Sequence, residues 1–201
     1  MSSDRSTPTD PDWDAIRARL ASRAEREGLL DVAVERHESP LGGLLIAATA
    51  DGVARLGLPS EDEDEVLAEL AARVSPRVLR ASRPALADAR HQLDEYFAGN
   101  RRHFGVDLDW RLTNGFRRGV LEATAAIPYG ETGTYTSVAT AAGSPAAVRA
   151  AGTALATNPI PILIPCHRVL GATGLGGYSG AGGIETKVAL LRLEGAGGLL
   201  I

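Results

Sequence analysis

The chain has 201 residues, of which 44% are hydrophobic, and a formal net charge of −4 at pH 7. This composition is globular, and no apolar run approaches the length that a membrane-spanning helix needs. A polar, acidic N-terminus argues against a secretory signal, and a single cysteine excludes an internal disulfide and a four-cysteine zinc site. A lone thiol suits a reducing compartment, so we expect a cytoplasmic protein without membrane contact.

The net charge conceals an asymmetry along the chain. Residues 1–110 contain 14 Lys and Arg residues against 21 Asp and Glu, whereas residues 111–201 contain 7 against 4. The acidic run from Glu61 to Glu65 is interpreted as the solvated start of a helix, where carboxylates favour the helix dipole. The modest positive charge of the C-terminal part permits contact with a polyanion but does not require it.

The N-terminal part of the chain has the pattern of an α+β domain. A helix is predicted from a cap at Asp10, with Pro11 in its first turn, to Gly28. Strand-like runs separated by turn residues then predict an antiparallel meander. Two helical patterns follow the meander, and a closing strand is predicted after them. The strand-like runs are at 32–37, 44–49 and 53–58, the helical patterns at 66–74 and 86–97, and the closing strand at 103–110.

The C-terminal part reads as helical up to the cysteine. A helix is predicted from Phe116 to Ile127, and a second lies around Tyr135 to Ala142. A third is predicted to open at Ser144, with Pro145 in its first turn, and to stop before Pro159. Two helices joined by a short turn form the helix-turn-helix pattern, although many all-helical proteins contain it. We divide the chain into a tail and helix (1–28), a first domain (29–110) and a second domain (111–201).

The third of these helices is built mainly from small residues. Apart from Arg149 it offers no long polar side chain able to read base edges in a major groove. Small residues allow close approach, either to another helix or to a narrow DNA groove. In the second case Arg149 would enter the base stack, and binding would show little sequence preference. That arrangement would suit an enzyme that extrudes a base.

The only cysteine, Cys166, lies in the stretch NPIPILIPCHRVLG, residues 158–171. A lone cysteine is usually a small buried hydrophobe. Here, prolines preset the backbone, and the neighbours His167 and Arg168 favour a thiolate with a lowered pKa. A histidine base usually needs a carboxylate to orient it. Glu194, at the edge of the apolar face of the last helix, is a candidate, but an ordinary exposed helix-end glutamate fits the spacing equally well. That apolar face is predicted to comprise Ile184, Val188 and Leu191.

A glycine-rich stretch, residues 171–183, separates the cysteine segment from the last helix. It contains the hydroxyl-bearing pair Tyr178 and Ser179. No Gly-Lys-Ser/Thr signature follows it, which argues against a phosphate loop. We interpret it as a lid or pocket wall.

These motifs together resemble the O6-alkylguanine-DNA alkyltransferases, also called methylated-DNA–protein-cysteine methyltransferases. The resemblance covers Phe116 to Ala196 and is carried by NPIPILIPCHRVLG, GGYSG and LRLEGA. It departs from the family pattern at Tyr178 to Lys187, which is longer by AGG. The resemblance implies an α+β protein in which a ribonuclease-H-like α/β domain precedes a helix-turn-helix, winged-helix-like domain that binds DNA and carries the catalytic cysteine.

The resemblance implies four catalytic residues. Cys166 matches the nucleophile that accepts the alkyl group from O6 of a flipped guanine. His167 and Glu194 match the pair that draws the thiol proton away through a water. Asn158 matches the residue that braces the turn. The product is a thioether, so one molecule would repair one lesion without a cofactor.

The resemblance also implies a base pocket and a DNA surface. Tyr135 would donate to guanine N3, Val169 would contact the base edge through its carbonyl, Ser179 would donate to O6 through its backbone, and Tyr178 would wall the pocket. Arg149 would fill the vacated place in a minor-groove complex with little sequence specificity. The residues expected to line the DNA surface beside Arg149 are Thr134, Ala147, Ala150 and Gly152.

The expected partner is double-stranded DNA containing O6-alkylguanine. The residues do not decide whether O4-alkylthymine is also a substrate. The protein is expected to be a monomer that could assemble along DNA. No metal is expected, because the N-terminal domain lacks the zinc-binding cysteines of some relatives. Two other functions fit parts of the pattern. One is a lesion-binding or regulatory protein without transfer, and the other is a cysteine hydrolase or redox protein.

Overall fold

In the computed structural model, which describes residues 12–196, a β-sheet domain is followed by a helical domain. This agrees with the α+β class expected from the sequence. The helices are α1 (Trp13–Arg26), α2 (Glu63–Arg73), α3 (Pro84–Phe97), α4 (Gly115–Ala125), α5 (Tyr135–Ala141), α6 (Val148–Ala156) and α7 (Ile184–Leu193). The strands are β1 (Val32–Ser39), β2 (Gly42–Thr49), β3 (Gly52–Gly57), β4 (Val78–Arg80), β5 (Gly133–Thr134) and β6 (Val169–Leu170).

The N-terminal sheet has the strand order β3-β2-β1-β4. The predicted antiparallel meander is confirmed in β1, β2 and β3, with Val34 opposite Ala47 in the first pair. Successive strand residues point to opposite faces. One face, which includes Val34 and Ala47, therefore packs on α2, and the other, which includes Ile46, packs on α3 and the second domain. Both faces are covered, which explains why β2 and β3 are so apolar.

Three local predictions in this domain need correction. The cap of α1 is Asp12, whose side chain accepts from Ala15 N; the predicted cap at Asp10 lies outside the described residues. Strand β4, which pairs in parallel with β1, was missed because three residues are too few to show a period. The closing strand expected at 103–110 is reduced to a single bridge between Val53 and Leu108. The acidic helix start is confirmed, since Asp62 caps α2.

The helix-turn-helix consists of α5 and α6, packed against α4. Thr134 caps α5 through a reciprocal bond pair with Ser137. The second helix begins at Val148, four residues after the predicted Ser144. Ala147 N donates to Ser144 O at 2.9 Å, so Pro145 occupies the second position of a turn instead of a helix start. Proline presets φ for either role, and this is why the sequence pattern could not distinguish them.

The two domains share one hydrophobic core. Leu93 of α3, Val120 of α4 and Leu190 of α7 are buried in the same cluster. The edge of β3 also bonds to the cysteine segment, because Leu56 N donates to Pro159 O at 2.9 Å. The first domain therefore supports the backbone that carries Cys166. Among residues 12–196, no helix has the length and apolar character needed to cross a membrane.

Gly52 is the point at which the segment 103–110 joins the sheet. It has φ +131°, and a Cβ there would lie 2.3 Å from Asp107 O, which accepts from Val53 N. Gly52→Ala should therefore lower the free energy of unfolding by about 2–4 kcal/mol. Gly99→Ala is the matched control, since Gly99 has φ +75° but open space around its Cα. It should cost only about 1 kcal/mol. Urea denaturation measures both variants, and equal losses would contradict a steric role for Gly52.

Candidate active site

Two very tight turns hold the backbone in front of Cys166. Leu163 N donates to Pro161 O at 2.9 Å and Cys166 N to Ile164 O at 2.8 Å, each bond closing a three-residue turn. Ile162 lies at the centre of the first turn with φ +72°, although it is β-branched and fully buried. Such a conformation costs on the order of 1–3 kcal/mol and persists only where the surroundings impose it. The prolines restrict this segment to the strained path that presents Cys166.

Asn158 spans this turn from its beginning to its end. Its Nδ2 donates to Ile164 O at 2.9 Å, and its Oδ1 accepts from Ile160 N at 3.0 Å. One amide side chain therefore satisfies backbone groups on both sides of the strained residue. Loss of this side chain would leave buried peptide groups unpaired.

A short 3-10 helix, Cys166–Arg168, places three functional side chains in succession. His167 and Arg168 point away from solvent to Glu194, which follows the last residue of α7. His167 Nε2 lies 2.8 Å from Glu194 Oε1, and Arg168 donates through Nε to Oε2 at 2.8 Å and through Nη2 to Oε1 at 3.0 Å. Between the two sequence interpretations of Glu194, the structure favours the carboxylate that orients the histidine.

The protonation states of this group follow from its contacts. Hydrogen bonds from His167 and Arg168 outweigh burial and lower the pKa of Glu194 to about 2. Burial lowers the pKa of His167, so the imidazole is neutral near pH 7. Because the carboxylate is ionised, the imidazole proton resides on Nε2. The lone pair of Nδ1 is buried and has no partner among the described protein groups.

The thiol itself is not pre-ionised. Burial raises the pKa of Cys166, and the Asn158 side chain and the positive charge of Lys187 oppose that rise only in part. This corrects the sequence expectation of a thiolate made by its basic neighbours. Arg168 neutralises Glu194 instead, so its charge is not available to the sulfur. Cys166 therefore rests as a thiol, and a base must remove its proton.

Lys187 is a buried cation whose ammonium group bonds to backbone carbonyls near the cavity. It lies on α7, is completely buried, and donates from Nζ to Val169 O at 2.7 Å and Leu175 O at 2.6 Å. Burial lowers its pKa to about 8. The predicted apolar face of α7 was wrong at Ile184, which is 40% exposed. The buried positions are Thr186, Lys187, Leu190, Leu191 and Glu194. The helical spacing of the last four would have revealed the face if charged residues had been allowed in it.

A cavity of about 280 Å³ opens beside Cys166. Five predicted residues line it, including Gly152, which the sequence assigned to the DNA surface. Tyr135 donates to Gly177 O at 3.3 Å, and Ser179 Oγ donates to Ala156 O at 2.8 Å, which ties the glycine-rich loop to α6. The lining comprises Tyr135, Gly152, Leu155, Ala156, Cys166, Gly177, Tyr178 and Ser179. Leu155, Ala156 and Gly177 were not predicted.

Two other predicted positions relate to this cavity differently. Val169 is buried outside the cavity lining, and its carbonyl already accepts from Lys187. The Tyr178 hydroxyl is buried beside the thiol, and burial and the neighbouring sulfur raise its pKa. On the outer side of α6, Arg149 and Ala150 are exposed, as is Thr134 at the start of α5. Ala147 is half-buried where the turn enters α6.

Comparison with known proteins bears on this arrangement. The ribonuclease-like domain model of 6-O-methylguanine DNA methyltransferase matches residues 33–110, and the DNA-binding domain model matches residues 115–196. A constitutive methylated-DNA–protein-cysteine methyltransferase of Bacillus subtilis is 42% identical over 158 residues, covering 78% of this chain and 92% of the relative. The chain belongs to the methylated-DNA–protein-cysteine methyltransferase family.

Relatives in other organisms and solved structures agree with this assignment. A family member of Methanosarcina acetivorans is 39% identical over 79% of this chain and 96% of its own length. The O6-methylguanine methyltransferase of Mycobacterium tuberculosis superposes with a TM-score of 0.68 at 38% identity, covering 81% of this chain and 92% of the other. A DNA complex of M. tuberculosis OGT gives 0.66 at 37% identity, covering 82% and 92%. The family fold, a ribonuclease-like domain followed by a DNA-binding domain, is the fold described above.

The buried Glu194 carboxylate makes stability depend on pH. Its folded pKa of about 2 lies below the ordinary value of 4.5, so its stabilisation is present above pH 4.5 and is lost as pH falls towards 2. The shift corresponds to about 3 kcal/mol. Between pH 4.5 and pH 2, the free energy of unfolding of Glu194→Gln should therefore fall by about 3 kcal/mol less than that of the wild type. Urea denaturation from pH 7 to pH 2 measures this difference.

Glu185→Gln, an exposed change on the same helix, is the control and should follow the wild type. Parallel curves for all three proteins would contradict the lowered pKa of Glu194.

Proposed function

We propose that this chain repairs alkylated guanine in DNA by moving the alkyl group from O6 to the sulfur of its own Cys166. The family transfers a methyl group from DNA to a protein cysteine, and this chain has only one cysteine. The observation that carries the proposal is the position of that thiol, on the wall of an open cavity and next to the buried His167–Glu194 pair.

The first chemical step is removal of the thiol proton. Since burial keeps Cys166 protonated, the sulfur becomes a strong nucleophile only when a base takes the proton. His167 offers the lone pair of Nδ1, and a water between it and Cys166 would carry the proton. Glu194 stabilises the imidazolium that results, because it is already ionised. The positive charge of Lys187 favours the thiolate.

The second step is displacement at the alkyl carbon. The thiolate forms a carbon–sulfur bond while the bond between that carbon and O6 breaks, and its electron pair remains on guanine. The proton lost by the thiol is matched by one gained by guanine, so atoms and charge balance without a cofactor. Tyr135, at the cavity wall, would donate to the leaving purine. The glycine-rich loop would contact O6 through the Ser179 backbone.

The thioether formed at Cys166 has no leaving group that water could displace easily. Each molecule therefore repairs one lesion, and the protein is both transferase and acceptor. The free thiol suits a reducing compartment, and we expect the reaction to take place in the cytoplasm.

The expected substrate is double-stranded DNA with an O6-alkylguanine turned out of the helix. The small residues on the exposed side of α6, such as Ala150, permit close approach to the minor groove, and Arg149 would occupy the place of the extruded base. Such contacts position the protein without reading sequence. The cavity beside the helix then receives the base. We expect one monomer to engage each lesion.

Intact mass spectrometry tests the transfer directly. Wild-type protein incubated with a duplex containing O6-methylguanine should gain one methyl group in place of one hydrogen, and Cys166→Ser should gain none. Peptide mapping should locate the methyl group on Cys166. Tight binding to the lesion duplex without any mass change would replace this function with lesion binding alone.

Arg149→Ala separates base extrusion from thiol chemistry. Transfer from a lesion duplex should slow by roughly tenfold or more, because the unstacked duplex loses its support. Transfer from free O6-benzylguanine, which needs no extrusion, should remain unchanged. Arg36→Ala is the control for loss of one positive charge, since Arg36 lies on β1 with a side chain that is 62% exposed. Equal slowing of the Arg149 variant on both substrates would contradict the role.

A further inference from the structure

One contact to the catalytic carboxylate comes from the other domain. Tyr96 lies on α3 of the ribonuclease-like domain and is completely buried. Its hydroxyl donates to Glu194 Oε1 at 2.7 Å. That oxygen also accepts from His167 and from Arg168, so three side chains converge on one atom. The hydroxyl is the only group of the three that lies outside the cysteine segment.

The hydrogen bond from Tyr96 fixes the position of the Glu194 carboxylate in addition to filling space in the core. Arg168 bonds to both oxygens of the carboxylate, but it belongs to the same short segment as His167. A third donor, fixed on a rigid helix of another domain, restricts Oε1 to the position that faces His167 Nε2. The Tyr96 ring is itself fixed by edge contacts to Phe97 and Tyr129, with ring centroids 5.4 and 6.3 Å away. The hydroxyl therefore has little freedom to follow a moving carboxylate.

The same contact also weakens the carboxylate as a base. The Tyr96 hydrogen bond is among the contacts that lower the pKa of Glu194. Because the carboxylate then attracts a positive imidazole less strongly, His167 stays neutral. Its Nδ1 lone pair remains free to accept a proton. The other charges that face this group are Arg168, which contacts Glu194, and Lys187 of α7, which lowers the pKa of His167.

We propose that Tyr96 is a positioning residue for alkyl transfer, through which the ribonuclease-like domain sets the orientation and basicity of the Glu194–His167 pair. The reaction named in this inference is that of the proposed function. The evidence for the role of Tyr96 is the set of contacts around Glu194. Tyr96 reaches neither the thiol nor the substrate cavity. It acts through the carboxylate, and the first domain is thereby part of the proton relay.

Tyr96→Phe tests this inference, since it removes the hydroxyl and keeps the ring. Transfer from a lesion duplex should slow by about tenfold, because one hydrogen bond to a charged group is lost. Affinity for the duplex should not change. The loss of a donor makes Glu194 hold imidazolium more strongly, so the acid limb of the pH–rate profile should move to higher pH.

Tyr129→Phe is the matched control. Its hydroxyl donates to Leu193 O at 2.8 Å, one residue before Glu194, and its ring belongs to the same aromatic group. Removal of that hydroxyl changes the packing of the same region but leaves the carboxylate untouched. Its pH–rate profile should coincide with that of the wild type. Equal slowing of both variants with unshifted profiles would overturn the proposal in favour of a packing role.

Two further measurements keep the outcome independent of other failures. In a Glu194→Gln background, Tyr96→Phe should cause no additional slowing, because the two residues act as one unit; an additive effect would overturn the proposal. If the wild type transfers no alkyl group, the proposed function fails. The pH dependence of Cys166 alkylation by iodoacetamide then decides on Tyr96, with a shift in Tyr96→Phe supporting its role and an unchanged profile overturning it.

Discussion

The structure around the active site depends on one buried negative charge, that of Glu194. An isolated carboxylate could not remain ionised with 4% of its surface exposed. It does so because Arg168, His167 and Tyr96 all donate to it. Each donor is thereby fixed in turn. Arg168 anchors the cysteine segment, and His167 takes one tautomer. Removal of any of these groups leaves a buried charge incompletely solvated.

The resting state of the sulfur follows from the same arrangement. The cationic neighbour in sequence, Arg168, is committed to Glu194, so it does not ionise the thiol. Burial keeps Cys166 protonated, and burial also keeps the imidazole of His167, the next residue in the chain, neutral. For a protein that can use its nucleophile once, a thiol that is protonated at rest is spared reaction with stray electrophiles. The strained backbone at Ile162 holds the thiol at the cavity.

The two domains form one catalytic unit. The edge of β3 binds Pro159 at the start of the cysteine segment. A Cβ added to Gly180 would lie 2.5 Å from the Leu58 side chain, which shows how closely the first domain approaches the pocket loop. Tyr96 completes the set by donating to Glu194. Apart from its role in the core, the ribonuclease-like domain thus contacts the cysteine segment, the pocket loop and the buried carboxylate.

The sequence by itself determined the α+β class, the meander, the helix-turn-helix, and most of the residues that line the cavity. These depend on hydrophobic periodicity, capping and turn residues, and a short motif, all of which are local. Local patterns were less reliable where one residue suits two conformations, as at Pro145. Only the tertiary structure decided that Glu194 is buried and that Lys187 lies inside. It also showed that Tyr96, 98 residues before Glu194, touches it. Whether a charged side chain is solvated or buried depends on partners supplied by distant segments, and the local sequence pattern around the residue does not contain that information.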